Sequence, residues 1–298
     1  MVEKLPELLA TKRLLVVTGK GGAGKSLLSL ALAHRISKMG KKVWLVEVGR
    51  KRDKAFSRLP ELLGVEKIEH SPQKIQLCGA DFYASLLDPT AGLAEYVDLK
   101  LPTAGLAGIL LNNNVTASLL EVVPGLPDLV VLGKLWHVLT SPKAKLQTDL
   151  VILDAPATGH AVSFLHSAKN FQRITKVGPI YKDASAMTEF LADAKKTALL
   201  LATLPEEMSL QETEEFQKLL ANDFPKPFVV LNKLFPALPK LEENNPGIAW
   251  DAYAYARKRH LREKAAVKSH SGEVHASVPF CFPEPDSDPL FLRMAEFL

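Results

Sequence analysis

Cysteine is nearly absent from this chain: Cys78 and Cys281 are the only two in 298 residues, and neither belongs to a Cys-x-x-Cys. A disulfide framework or a zinc site built within one chain is therefore unsupported, and both cysteines read as small core residues. A dominant sign of charge is also lacking. Lysines and arginines number 37 against 33 aspartates and glutamates, a net +4 with the signs interspersed, so no nucleic-acid partner is expected. No stretch of membrane-spanning length is free of charge. Met1–Arg13 mixes Glu3, Lys4, Glu7, Lys12 and Arg13 with leucines, so it has no apolar signal-peptide core. The expected location is the cytoplasm. With 47% apolar residues, the chain is long enough to bury a sizeable core, and one domain over 1–298 is expected.

Short apolar runs are plentiful. Leu14–Thr18, Val43–Val48, Ile75–Phe82, Leu150–Asp154, Ala198–Thr203, Phe228–Asn232 and Val278–Phe282 read as buried strands. Helical periodicity falls between them, over Lys25–Met39, Asp88–Leu99, Pro127–Leu139, Gly159–Ile174, Asp183–Lys196, Ser209–Ala221 and Trp250–Lys268. This alternation predicts an α/β fold, a doubly wound and mostly parallel sheet. Leu101–Leu139 is expected as a helical flank, and Pro236–Pro246 as a surface loop.

Gly19-Lys20-Gly21-Gly22-Ala23-Gly24-Lys25-Ser26 follows the first strand. Gly19-x-Gly21-x-x-Gly24 alone also fits a dinucleotide fingerprint, with Glu47 near the offset of a ribose-binding acid. Lys25-Ser26 decides for a P-loop. There, backbone N–H groups from Gly19 through Gly21, Gly22, Ala23, Gly24, Lys25, Ser26 and Leu27 cradle phosphates, a lysine spans the outer phosphates, and a serine hydroxyl ligates Mg²⁺. Asp154 ends an apolar strand, as the second acid of such proteins does, and is expected to hold Mg²⁺ through water. The predicted cofactors are therefore ATP or ADP and Mg²⁺.

The loop, with its second lysine Lys20, resembles the deviant P-loop of the arsenite-pump and tail-anchored-protein-targeting ATPases. Asp154-Ala155-Pro156-Ala157-Thr158-Gly159-His160 resembles the second switch of that family. Leu87-Asp88-Pro89, Pro124–Asp128, Leu204–Met208 with Glu212-Thr213, and Phe282–Pro285 extend the likeness over about residues 12–298. The resemblance implies a P-loop ATPase working as a homodimer, or as a heterodimer with a paralogue, with an unidentified cargo or membrane partner. It implies that Lys20 acts across the dimer, that Lys25 and Asp154 are catalytic, and that His160 is a switch or dimer-contact residue. It also implies that Asn232 and the backbone near Pro283 hold the base. Asn232-Lys233 is followed by Phe235 where a guanine-reading motif carries an acid, so adenine is the expected base.

One departure matters. The family's first switch carries an aspartate after the second strand, and here Gly49 takes its place in Glu47-Val48-Gly49. Glu47 and Asp53 are the nearby acids, and hydrolysis is expected to be slow or to need a partner. The alternative is a nucleotide-gated interaction protein, or a weakly active heterodimer subunit. Arg50-Lys51-Arg52 is read either as a phosphate or partner contact or as a solvated cluster. Arg257–Arg262 is read as a solvated helix face, and Leu290–Leu298 as a helix packed on the core.

Overall fold

The computed structural model describes residues 5–49, 57–100, 120–239, 248–270, 272–282 and 288–298. After α1 (Leu5–Leu9), strand β1 (Leu14–Gly19) is buried at all six positions, as a central strand covered on both faces must be. Next come α2 (Lys25–Lys38), β2 (Val43–Val48) and α3 (Leu59–Leu63). A hairpin of β3 (Gln73–Leu77) and β4 (Ala80–Leu87) leads to α4 (Pro89–Lys100) and α5 (Leu126–Thr140). β5 (Leu150–Asp154), α6 (Thr158–Thr175), α7 (Gly178–Ala192) and β6 (Thr197–Thr203) follow. The rest is α8 (Glu207–Leu220), β7 (Phe228–Leu234), α9 (Ile248–Ser269), β8 (Ala276–Pro279) and α10 (Leu290–Ala295).

The strands form one sheet in the order β3-β4-β2-β5-β1-β6-β7-β8, and only β3–β4 is antiparallel. The expected mostly parallel α/β sheet is therefore present. The single strand expected over Ile75–Phe82 is instead two. Cys78 and Gly79 both have positive φ, 48° and 74°, which is the two-residue turn that matches the twist of a hairpin. That turn also exposes Cys78, which is therefore not the core residue expected, while Cys281 beyond β8 is half-buried and packs against the α2-side core. The two lie on opposite edges of the sheet.

Strand alternation sorts the core into two faces. Leu15, Val17, Leu45, Ile152 and Leu200 face α2 and α10, while Val16, Trp44, Val46, Leu153 and Leu199 face α5, α6 and α7. Leu290–Leu298 packs as expected, through buried Phe291, Met294 and Leu298. The basic run on α9 divides. Arg259 turns inward over Phe235 and Phe280 and pairs with Glu263 at 2.7 Å, while Lys258 and Arg262 face solvent. α5 supplies part of the expected helical flank, and positions 101–119 lie outside the described residues, as do 240–247 of the expected loop.

Glu95 ties α4 to its surroundings. Lys134 on α5 pairs with one of its oxygens, and His70 Nε2 sits 3.4 Å from the other. Burial alone would raise the Glu95 pKa, but the bonds from His70 and Lys134 outweigh it and hold the carboxyl at about 2. A depressed folded pKa stabilises the fold fully above the ordinary value of 4.5 and is lost as pH falls through about 2. The carboxylate is nearly half exposed, so solvent screening limits the effect. Glu95→Gln is expected to cost about 0.5–1 kcal/mol at pH 7. The deficit should narrow as pH falls from 4.5 toward 2, read by urea unfolding. A gap independent of pH would contradict the assignment.

Candidate functional site

The carboxyl ends of β1, β2 and β5 lie side by side, with β5 between the other two, which is where open parallel sheets bind ligands. β1 ends in the glycine loop. Gly19 has φ 147°, and a Cβ there would stand 2.0 Å from the Ala202 carbonyl oxygen on β6. Only glycine lets the loop leave the sheet at that point. Gly24, at φ 87°, is the N-cap of α2 and offers no side-chain acceptor to the helix's first N–H groups. The first turn has no acid, and Arg35 and Lys38 close the last turn. The positive end of the helix dipole is thereby left to an anion.

Lys25 lies under the loop, its ammonium donating to the carbonyls of Gly19 and Lys20, each at 3.2 Å. Burial lowers its pKa, opposed by the charges of Asp154 and Glu212. The loop is gripped from β7. Asn232, 2% exposed, donates through Nδ2 to the Ala23 carbonyl at 2.7 Å, and Lys233 donates to the Gly22 carbonyl at 2.8 Å. A Cβ on Gly24 would meet Asn232 Nδ2 at 2.4 Å. The carboxamide engaged with Ala23 keeps one further N–H. Phe235 is buried against Phe280 and Phe282, which leaves no place for a carboxylate there.

Asp154 ends β5 and is 7% exposed. Burial raises its pKa to about 7, the Ser26 hydroxyl bond works against that, and Glu47 adds to it. Its Oδ1 is buried without a hydrogen-bond partner. A buried carboxylate with an orphaned oxygen, bonded to a P-loop serine and near a second acid, suits a hard divalent cation such as Mg²⁺.

Beyond Asp154 the chain is pinned by Thr18, whose hydroxyl donates to the Pro156 carbonyl at 2.7 Å. Thr158 opens α6 and donates to Glu212 on α8. The same glutamate stands 4.0 Å from Lys20, both about a third exposed. Glu212 thus joins the loop lysine to the segment after Asp154. Sequence reading flagged it only as part of a family-like stretch, since nothing in its spacing ties it to residues 54 and 192 positions away. His160 is exposed at the start of α6. The predicted residues Gly19–Leu27, Asp154 and Asn232 therefore converge, whereas Pro283, Arg50–Arg52 and Asp53 lie outside the described residues.

At position 49 a Cβ would fall 2.6 Å from Leu86 Cδ1 on β4, so an apolar side chain fills the space of the family-like aspartate. Glu47, two residues earlier, pairs in register with Asp154. Burial pushes its pKa up, against hydrogen bonds from the Ser57 hydroxyl, at 2.7 Å, and the Leu59 N–H.

A glycine loop capping α2, a lysine beneath it and a buried acid on the next strand define a P-loop nucleotide-binding protein. The family model for anion-transporting ATPases matches residues 12–178 and 166–245, and the chain belongs to that family. ATPase BagA of Mycobacterium tuberculosis is 32% identical over 238 residues, spanning 78% of this chain and 68% of that protein. An arsenical pump-driving ATPase of Escherichia coli is 24% identical over 308 residues, spanning 94% of this chain and 46% of that protein. ATPase ASNA1 homolog 2 of Paramecium tetraurelia is 32% identical over 167 residues, spanning 54% and 45%. The chain is thus an ATP-binding ATPase. Among the described residues, no helix is long and apolar enough to cross a membrane.

Proposed function

We propose that the chain is a Mg²⁺-dependent ATPase whose nucleotide cycle opens and closes a dimer, formed with itself or with a paralogue, and drives an unidentified cargo or partner. The observation that carries this is two lysines on one glycine loop above a buried aspartate: Lys25 turned beneath the loop and Lys20 at its rim. In this reading the N–H groups from Gly21 to Leu27 bind the β- and γ-phosphates, with Lys25 spanning them. Ser26 and, through water, Asp154 hold the metal. When bound, Mg²⁺ offsets charge on the transferred phosphoryl group. Asn232 and the chain near Pro283 hold adenine.

Lys20 leaves Glu212 and reaches the partner protomer's nucleotide. Because Glu212 also accepts from Thr158, releasing Lys20 alters the hold on α6, which connects nucleotide state to a helix. A second reading, a slow or silent nucleotide-gated subunit, is favoured by Leu86 filling the space beside Gly49.

The two are separated on purified wild-type protein by steady-state ATP turnover and by light-scattering mass under ATP, ADP and EDTA. Mg²⁺-dependent turnover with a mass doubling under ATP is the expected result. Nucleotide binding and dimerisation without turnover, alone or with a paralogue, supports the second reading. A monomeric mass in every state, with turnover intact, would contradict the dimer.

A further inference from the structure

Glu47 is the acid that the loop motif does not account for. In a strand, alternate residues share a face, so Leu45, Glu47 and Gly49 lie on the α2 side of β2. Register places Glu47 beside Asp154 on β5 and beside Leu86 on β4. Leu86 is the side chain that closes the space at Gly49. An acid starting two residues earlier on the same face, and one methylene longer than aspartate, reaches toward the same strand end.

The bland reading makes Glu47 an anchor for α3, because it accepts from the Ser57 hydroxyl and the Leu59 N–H. Anchoring explains its bonds but not its neighbour. An anchor needs no second buried carboxylate in register beside it, and Asp154 keeps an orphaned oxygen in that pocket. Two adjacent acids in a half-dry pocket are stabilised by a cation between or beside them.

We propose that Glu47 is the second carboxylate of the Mg²⁺–nucleotide site, supplying from within β2 the acid that is missing at position 49. It acts as a positioning residue: with Asp154 it adds charge and a hydrogen-bond acceptor for the cation and its waters. The bond from Ser57 anchors the chain that enters α3, a role separate from the cation site. The inference rests on the reading of the loop as a Mg²⁺-nucleotide site.

The test reads metal affinity rather than turnover. A fluorescent ADP analogue is bound in EDTA, and Mn²⁺ is then titrated and followed by its EPR signal. Glu47→Gln keeps one acceptor oxygen, for Ser57 or for the Leu59 N–H, and removes the charge. It is expected to bind the analogue in EDTA at least as tightly as wild type, and to bind Mn²⁺ about 10–100-fold more weakly. Ser57→Ala, which loosens only the anchor, is expected to keep Mn²⁺ affinity within about twofold of wild type. Should Glu47→Gln fail to fold, Glu47→Asp keeps the charge at shorter reach and is expected to show a smaller but measurable loss of Mn²⁺ affinity. Wild-type Mn²⁺ affinity in either folded Glu47 variant overturns the role of Glu47 alone. A wild type that binds no nucleotide, with or without metal, overturns the site reading beneath it.

Discussion

Lys20→Ala is expected to bind ATP within a few-fold of wild type and to lose about 10³-fold or more in turnover, the scale of an arginine finger supplied in trans. Lys25→Ala is expected to fail earlier, at binding. Lys25 lies within the loop, 3.2 Å from the carbonyls of Gly19 and Lys20, so its ammonium sits where phosphate charge must be met. Losing a buried charge-assisted contact to phosphate costs about 1.5–3 kcal/mol, or roughly 10–150-fold in affinity. Lys20 is about a third exposed, and its ammonium stands 4.0 Å from Glu212 on α8.

A mixture of the two inactive variants separates action in trans from action in cis. A mixed dimer pairs the intact loop of a Lys20→Ala protomer with the Lys20 of a Lys25→Ala protomer. Random pairing in a symmetric dimer should then restore about a quarter of wild-type turnover. No recovery on mixing, with mixed dimers shown to form, would sink the trans assignment. Wild-type turnover in Lys20→Ala would sink any role for that lysine.

The second large effect is on stability. Trp44 is fully buried in β2 among Val46, Val151, Leu153 and Leu135, and its indole N–H donates to Ser85 Oγ at 2.9 Å. Trp44→Ala removes that packing, empties a cavity and leaves the buried Ser85 hydroxyl without its donor. The expected cost is about 3–5 kcal/mol, a large share of a domain's total of about 5–15. Trp44→Phe keeps most of the volume, loses the bond, and is expected to cost about 1–3 kcal/mol. Urea unfolding followed by circular dichroism gives both values. A Trp44→Ala midpoint near wild type would mean that β2 is not part of the cooperative core.

Much of the fold was legible because parallel strands buried on both faces must be continuous apolar runs, and β1, β5 and β6 are such runs. The hairpin at Cys78-Gly79 was not legible, since an apolar segment interrupted by two residues scans as one strand unless positive φ is foreseen. Cys78 was misread for the same reason. A turn exposes what a strand would have buried.

The glycine loop, its two lysines, Ser26 and the acid ending β5 were set by local sequence, because phosphate cradling is done by consecutive backbone amides and one helix start. The sequence by itself therefore determined the class of ligand and the strand–loop–helix that meets it. Only the tertiary structure decided what surrounds that loop: Asn232 and Lys233 gripping it from β7, and Glu212 joining Lys20 to Thr158. The same holds for Leu86 occupying the space at Gly49 and Glu47 paired with Asp154. These contacts join residues far apart in the chain, and their geometry follows from strand order and register, which no local pattern encodes.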